Sequence, residues 1–393
     1  MIVVHICLAN FFVDGRGYQE NELVRQHVRD GHTVTVLAST ETHDEKGRTV
    51  FADPGEYMGD EGARVIRVPY PAWLPNTIAR RLRVHVNVRS TLETLNPDVV
   101  IFHGLVGFGL LTVVRYAKEN PRVILHADCH ADYDNSAQGF FGRHLLHGLY
   151  HRAIVTRCLP VLGRVLCTTM SVMTFVHEVY GVPRDRLVFF PLAGHPVPDA
   201  KYAPTRERVR AELDVEPDHV LFVMSGRLKR RKKLIEALKA LGSVPDPRFR
   251  LVVAGAFSDD TREEALRLMD QDPRVTFLGW LDADQLTDLL CAADVYLQPG
   301  SQSVTMQGSL CARCAIIVDD VPSHEVFHCG NGWLIGGDLR LEEVLREISL
   351  NPGQLSSMRE ASFRFAKRTI DYSKLASELL ERSGPVSSPI LTA

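Results

Sequence analysis

Short apolar runs rich in β-branched residues recur along the whole chain, each followed by a longer stretch with helical spacing. In the first half they are IVVHICL (from Ile2), TVTVLA (Thr33), RVIRV (Arg64), DVVIF (Asp98), RVILH (Arg122), RVLCT (Arg164) and RLVFF (Arg186). Such runs are apolar on both faces, which suits strands covered by helices on either side, that is, a parallel sheet with helical crossovers. Between the first two, YQENELVRQHVRDGH sets Leu23, Val24 and Val28 on one face and ends at Gly31, a helix-stop residue. The pattern lapses after Pro191, where PLAGHPVPDAKYAPT holds four prolines and no periodic apolar face, and reads as a linker. It restarts with VLFVMS (Val220), RLVVAG (Arg250), VTFLG (Val275), DVYLQ (Asp294) and AIIV (Ala315). The expectation is an α/β protein of two doubly wound, Rossmann-like domains, residues 1–198 and 199–364. A C-terminal helix over 365–383 is expected to cross back to the first domain, and 384–393 to form a flexible tail. At 393 residues the chain is too long for one ordinary core, which agrees with that division.

Charge and cysteine usage exclude several classes. A formal net charge of -3 lacks the basic excess of a nucleic-acid binder. Eight cysteines carry a single C-x-x-C, Cys311 to Cys314, with no second pair; reduced, mostly buried thiols in a cytoplasmic protein are the plainer reading. MIVVHICLAN has no basic n-region and reads as a first strand, not a signal peptide. No apolar stretch approaches the ~18 residues of a membrane span. The arginines of RRLRVHVNVR (Arg80, Arg81, Arg83, Arg89) read as a solvated face, with peripheral docking on anionic lipid as the alternative.

Ligands of open parallel sheets bind at the carboxyl ends of strands, so the loops there carry the candidates. In SGRLKRRKKLIEAL a strand ends at Ser225, Gly226 lets the backbone turn, Arg227 follows, and Lys232 falls in the first turn of the next helix. A guanidinium and an ammonium beside a helix start suit a phosphate; a solvated basic helix start is the bland alternative. The loop LANFFVDGRGYQEN brings Gly15 and Gly17 to a helix start. It is not a G-x-G-x-x-G, and no acidic ribose partner follows at the required place, which argues against a nicotinamide cofactor. HADCHADYDNS packs His126, His130 and three aspartates into a strand-end loop; it has the residue types of a metal site, but a polar loop is the plainer reading. His144, His147 and His151 share one helical face without a carboxylate and read as a surface or interface. GSQSVTMQG, from Gly300, offers Ser301, Ser303, Thr305 and Gln307 ahead of a helix beginning near Met306.

Together these stretches resemble the GT-B glycosyltransferases, specifically the retaining family 4 (group 1). The resemblance covers nearly the whole chain: DGHTVTVLAS, NPDVVIFHG, YGVPRDRLVFFPLAG, SGRLKRRKKLIEAL, RLVVAG, VTFLGWLDADQLTDLLCAADVYLQPG and NGWLI, in that order. It implies two Rossmann-like domains facing across a cleft, acceptor on the first and nucleotide-sugar donor on the second. Arg227 and Lys232 match the pair that grips the donor diphosphate, and Trp280 lies where the base is held. His130 is the histidine near the transferred sugar, with His126 second, and Gly17 matches the glycine loop. Gly226, Ser303, Thr305 and Gln307 complete the expected donor set. The implied activity is metal-independent, retaining transfer from a nucleotide-diphosphate sugar to a small-molecule, lipid-linked or glycan acceptor. No metal or other cofactor is implied, and the location is the cytoplasm or the inner face of a membrane. The family's pair of glutamates, eight apart, is missing: Gly308 stands where the second would be, Arg313 replaces a glycine and Ala315 a proline. That departure keeps open a non-catalytic GT-B partner or glycan-binding protein; a sugar-nucleotide epimerase of similar architecture is a third reading.

Overall fold

The computed structural model describes residues 1–44, 47–133, 136, 139–300, 304–337 and 339–382. The chain forms two compact units: Met1–Leu192 together with the segment from Tyr372 onward, and Ala193–Asp371. In the first unit an eight-stranded sheet is built from β1 (Ile2–Cys7), β2 (Thr33–Ser39), β5 (Gly55–Met58), β6 (Arg64–Val68), β7 (Val99–Phe102), β8 (Ile124–Cys129), β9 (Val165–Cys167) and β10 (Leu187–Phe189). The strands β3 (Glu41–His43) and β4 (Thr49–Phe51) form a separate antiparallel hairpin. The sheet order is β10-β9-β8-β7-β1-β2-β6-β5. All seven apolar runs of this half are strands, and they pair in parallel. Only β5 runs antiparallel; its four residues are exposed and show no apolar run, so its pairing with β6 makes it a strand. Central β1 is covered on both faces, with Val3, Val4, Ile6 and Cys7 inaccessible to solvent. Leu23 and Val24, from the helix Gln19–Arg29, are buried as the apolar face predicts.

The second unit carries β11 (Val220–Leu228), β12 (Phe249–Phe257), β13 (Val275–Gly279), β14 (Val295–Gln298), β15 (Ala315–Asp319) and β16 (Gly332–Ile335), in the order β13-β12-β11-β14-β15-β16. Phe222 and Met224 of β11, Leu251 and Val253 of β12, Leu297 of β14 and Ile317 of β15 meet in one core. Its sixth strand, β16, runs so close to β15 that a Cβ on Gly332 would lie 1.8 Å from the Ile316 carbonyl oxygen. Buried Asp294, at the start of β14, accepts the Leu221 N–H at 2.9 Å and pairs with Arg206 (2.5 Å) and Arg210 (3.0 Å). The DV of AADVYLQP is therefore structural: the aspartate ties β14 and β11 to the helix Asp199–Glu212.

Three expectations about organisation change. The division falls between Leu192 and Ala193, not at 198. The supposed linker becomes helix from Asp199, with Pro204 inside it, because Tyr202, Thr205 and Val209 find buried places and Arg206 donates to the Cys291, Ala292 and Ala293 carbonyls at the end of the helix Ala283–Ala292. Tertiary contacts override a proline count there. Near the C-terminus, the helix Gln354–Thr369 stays with the second unit, and the return to the first begins only at Tyr372, with the short helix Tyr372–Glu378 packed on Gln19–Arg29. The expected tail, 384–393, lies outside the described residues. All eight cysteines are free thiols, seven of them buried and Cys329 exposed. Among the described residues no helix is long and apolar enough to cross a membrane.

Both sheets reverse their strand order once, between β1 and β7 in the first and between β11 and β14 in the second. Adjacent strands there send their following helices to opposite faces, which opens a crevice beyond their carboxyl ends.

Candidate functional site

At the crevice of the second unit, β11 delivers Gly226 and Arg227. Gly226 has φ +109°, a conformation that side chains with a Cβ rarely adopt. Its register partner Gly255, at φ +147°, lies so close that a Cβ there would sit 1.9 Å from the Gly226 carbonyl oxygen. Two facing glycines thus let β11 and β12 approach at the strand ends. Arg227 is exposed, and its guanidinium has no carboxylate partner among the described residues. Lys232 does not begin the next helix, as the sequence reading had it. It closes a one-turn 3-10 helix, Arg230–Lys232, and Lys233, in the left-handed region at φ 56°, is the N-cap of the helix Leu234–Gly242. Lys233 pairs with Asp319 at 2.7 Å and pins the turn to β15. From the other side Gly300, after β14, presses on the same turn: its Cβ would meet the Arg231 carbonyl oxygen at 2.2 Å. Lys232 is left buried, and burial, with Arg231 alongside, pulls its ammonium down to about 8.

The other predicted donor residues lie at the same end of the sheet. Trp280 follows Gly279 (φ +72°) at the end of edge strand β13, with 65% of its surface exposed, two strands from β11. Half-buried Thr305 lies in the first turn of the helix Val304–Cys311, which begins two residues earlier than expected. Gln307 is buried, and its carbonyl oxygen has no hydrogen-bond partner among the described residues. Ser303 lies outside the described residues, as do Ser301 and Gln302. At Gly308 a side chain has room, the nearest atom to its would-be Cβ being Leu290 Cδ1 at 3.9 Å.

In the first unit His130 follows β8, its side chain 36% exposed and its Nε2 3.6 Å from Asp128 Oδ1. Burial works against the charged ring, but the nearby Asp128 carboxylate, with Glu20 behind it, outweighs it and raises His130 above the usual histidine range. His130 lines a cavity of roughly 240 Å³ with Asn10, Gly104 and Val106, from the loops after β1 and β7. A larger recess of roughly 570 Å³ shares Ala9, Val106, Ser136 and His147 with it and is lined also by Glu41, Arg80, Arg81 and Arg83. Arg80 and Arg83 both pair with Glu41, Arg83 at 3.0 Å. Burial opposes the Glu41 charge, but these arginines and the Tyr70 hydroxyl hold its carboxyl below the usual range. The arginine stretch is thus a cavity wall at positions 80, 81 and 83, while Arg89 pairs with Glu93 and Glu119 on an exposed helix face.

Several sequence readings of this unit change. Gly17 is exposed, free of positive φ, and has space for a Cβ; the glycine that the loop demands is Gly15, at φ +73° with Asp60 Oδ2 2.8 Å from its would-be Cβ. The helix start that follows carries Glu20 and Glu22 in its first turn, which disfavours an anion there. His126 is buried against the backbone of Leu379 and Glu381, and burial lowers its basicity. His147 and His151 are not a surface pair: both are buried, His147 Nδ1 meeting the Tyr180 hydroxyl at 2.8 Å and His151 Nδ1 accepting the Gly107 N–H at 3.3 Å. Burial takes His151 down to about 3, so it stays neutral. Sequence reasoning counted Asp128 only as one of the three aspartates of HADCHADYDNS and gave His103 no role. Asp128 lies inside β8 and not in the loop after it, and the one available signal for its role was a charged side chain next to an apolar run.

Two family models together span most of the chain: Glycosyltransferase Family 4 over residues 21–193 and Glycosyl transferases group 1 over residues 205–361. The chain belongs to the group 1 glycosyltransferases. A search of the curated proteins gave no match. Among solved structures, this glycosyltransferase is similar to sucrose-phosphate synthase from Thermosynechococcus elongatus, with 14% identity, coverage of 96% of this chain and 97% of that one, and a TM-score of 0.60. It is similar also to Anabaena Alr3699/HepE solved with UDP (14%, 96% and 98%, TM-score 0.63) and to the catalytic domain of starch synthase IV from Arabidopsis thaliana bound to ADP and acarbose (13%, 96% and 99%, TM-score 0.61). At such identities the likeness shows the fold, which is GT-B: each unit is one Rossmann-like domain. The protein is a sugar-transferring enzyme of this fold.

Proposed function

We propose that this glycosyltransferase takes a sugar from a nucleoside-diphosphate donor held on the second unit and passes it, with retained anomeric configuration, to an acceptor held on the first. The observation that carries the reading is the exposed Arg227 guanidinium beside Gly226, at the strand-order reversal, with no carboxylate partner among the described residues and with Lys232 buried in the turn that follows. Breaking the sugar–phosphate bond places negative charge on the leaving diphosphate. Cations already fixed in position stabilise that charge without the reorganisation that water would need. Arg227 suits a pair of phosphate oxygens through its planar fork, and Lys232 supplies a point charge. Exposed Trp280 offers a flat face to the base, and the UDP and ADP bound in the Anabaena and Arabidopsis structures support a nucleotide as ligand. In this reading His130 donates to a hydroxyl of the transferred sugar, and the two side-chain cations do the work for which no metal is invoked. The recess lined by Arg80, Arg81 and Arg83 against a single Glu41 favours an acceptor that carries an anionic group.

The test is calorimetry with UDP, ADP, GDP and their sugar conjugates, followed by mass spectrometry of products from a donor and acceptor panel. Failure of every nucleoside diphosphate to bind would support the non-catalytic reading that the missing glutamates motivate. Replacing His130 with alanine is expected to lower kcat by about 10²-fold with little change in nucleotide affinity, since a lost charge-assisted hydrogen bond is worth roughly 2–3 kcal/mol.

Lys232 gives a pH signature. Its ammonium is charged below about pH 8 and loses its proton above, so kcat/KM for the donor should fall as pH rises through about 8. In Lys232→Arg the guanidinium keeps its charge, and the basic limb should move out of the range studied. A limb unchanged by that substitution would assign it to another group.

A further inference from the structure

A line of buried side chains crosses the first unit from the helix Tyr372–Glu378 to His130, and donor chemistry makes no use of it. His27 Nε2 lies 2.9 Å from the Ala376 carbonyl oxygen, and His27 Nδ1 3.0 Å from His5 Nε2. His5 Nδ1 lies 2.9 Å from His103 Nε2, and His103 Nδ1 2.5 Å from Asp128 Oδ2. Asp128 Oδ1 accepts the Gly104 N–H at 2.9 Å and faces His130 Nε2. The three inner histidines show no exposed surface, and Asp128 1%. They come from four elements: β1, the helix Gln19–Arg29, the residue after β7, and β8.

The protons in this line can be counted. A carbonyl oxygen only accepts, so His27 Nε2 carries hydrogen. Burial lowers the basicity of His27 and His5, so each keeps a single ring proton. His27 Nδ1 is then bare and takes the His5 Nε2–H; His5 Nδ1 is bare and takes the His103 Nε2–H. The last ring nitrogen, His103 Nδ1, meets a carboxylate oxygen. Two acceptors cannot bond, so one more proton lies between them, and the His103–Asp128 pair is neutral as a whole whichever atom holds it. In the opposite polarity, with every Nδ1 protonated, Asp128 would keep a full negative charge, and His27 would turn a bare nitrogen on the Ala376 oxygen. The carbonyl at the far end thus selects the polarity.

We infer that this histidine line holds Asp128 in a neutral pair with His103 and thereby sets the orientation and protonation of His130, with His103, His5 and His27 as positioning residues for sugar transfer and the helix Tyr372–Glu378 as their anchor. The inference rests on the role given to His130 above. The groups facing His130 are Asp128, Glu20 from the helix Gln19–Arg29, and His147 across the small cavity; those facing His27 are Asp30 and His32. None of these others is joined to the line by a hydrogen bond among the described residues, and Glu20, on the same helix as His27, is controlled for by comparing two substitutions at His27.

The first measurement uses the full-length wild-type protein with ¹⁵N-labelled histidine and no ligand. NMR should find His5 and His27 neutral with the proton on Nε2, and a bridging proton at His103 Nδ1 far downfield of the amides. An Nδ1–H tautomer at either His5 or His27 overturns the inference. The second measurement compares His27→Leu with His27→Gln. Glutamine can donate to Ala376 with its amide nitrogen and accept from His5 with its oxygen; leucine can do neither. In His27→Leu the polarity is released, Asp128 recovers its charge, and the His130 titration midpoint should rise by about one pH unit, with the acid limb of kcat following it. His27→Gln should keep the wild-type midpoint. Equal midpoints in wild type and His27→Leu would count against the line. Should the leucine variant not fold, the wild-type tautomers decide alone. Because His130 titrates in the free protein, absent sugar transfer would refute the donor assignment and leave this result standing.

Discussion

Replacing Arg227 with alanine is expected to lower sugar-transfer turnover by about 10²–10³-fold while leaving the melting behaviour unchanged, the usual effect of removing one preorganised donor from a site of developing negative charge. The two halves of that expectation have separate causes. The guanidinium is exposed and has no carboxylate partner among the described residues, so its loss should cost less than about 0.5 kcal/mol of stability. Yet it stands near the carboxyl end of β11, paired in register with Ala256 of β12; the strand runs on to Leu228 and does not end at Ser225 as the sequence suggested. Arg227→Lys should recover only part of the loss, because an ammonium cannot make the paired hydrogen bonds of the planar fork. Product formation under single-turnover conditions, with calorimetry of nucleoside diphosphate binding, measures both terms. Turnover close to wild type in the alanine variant would remove the donor assignment.

Gly255→Ala should be the most damaging single-methyl change in the second unit. The added Cβ would lie 1.9 Å from the Gly226 carbonyl oxygen, and the obstacle is backbone, which cannot rotate aside. β11 and β12 would have to part where Arg227 emerges, on top of the strain of φ +147° for a residue with a side chain. Overpacking and strain together should cost about 3 kcal/mol or more. Gly226→Ala is the informative control. No atom lies within 4 Å of its would-be Cβ, so only the φ of +109° is strained, and a loss of roughly 1–2 kcal/mol is expected. Chemical denaturation of the second unit, followed through its own transition, orders the two. A Gly255→Ala protein as stable as the Gly226→Ala protein would contradict the crowding on which the site's geometry depends.

Much of the architecture was readable in the chain because burial on both faces of a parallel strand leaves an unbroken apolar run. That is a local record of a tertiary fact, and every such run identified is a strand. The elements missed have no such record. The strand Gly55–Met58 is exposed and exists only through its neighbour, and the helix Asp199–Glu212 forms despite Pro204 because Arg206 and Tyr202 are held elsewhere. The proposed donor residues were visible for a similar reason: Gly226, Arg227 and Lys232 are close in sequence. The first unit's site was not. His5, His27, His103 and Asp128 are scattered over more than 120 positions, and each alone reads as one polar residue in an apolar setting. Only the folding of four elements brings their ring nitrogens to hydrogen-bond distance, and only a carbonyl supplied by the returning C-terminal helix gives that line a direction. The sequence alone determined the two alternating sheets and the family, and brought Arg227 and Lys232 close together along the chain, because those depend on neighbours in sequence. Which glycine the first loop demands, which histidine stays dry and where a single proton is held were decided by contacts between distant segments, since burial and hydrogen bonding depend on distance in space.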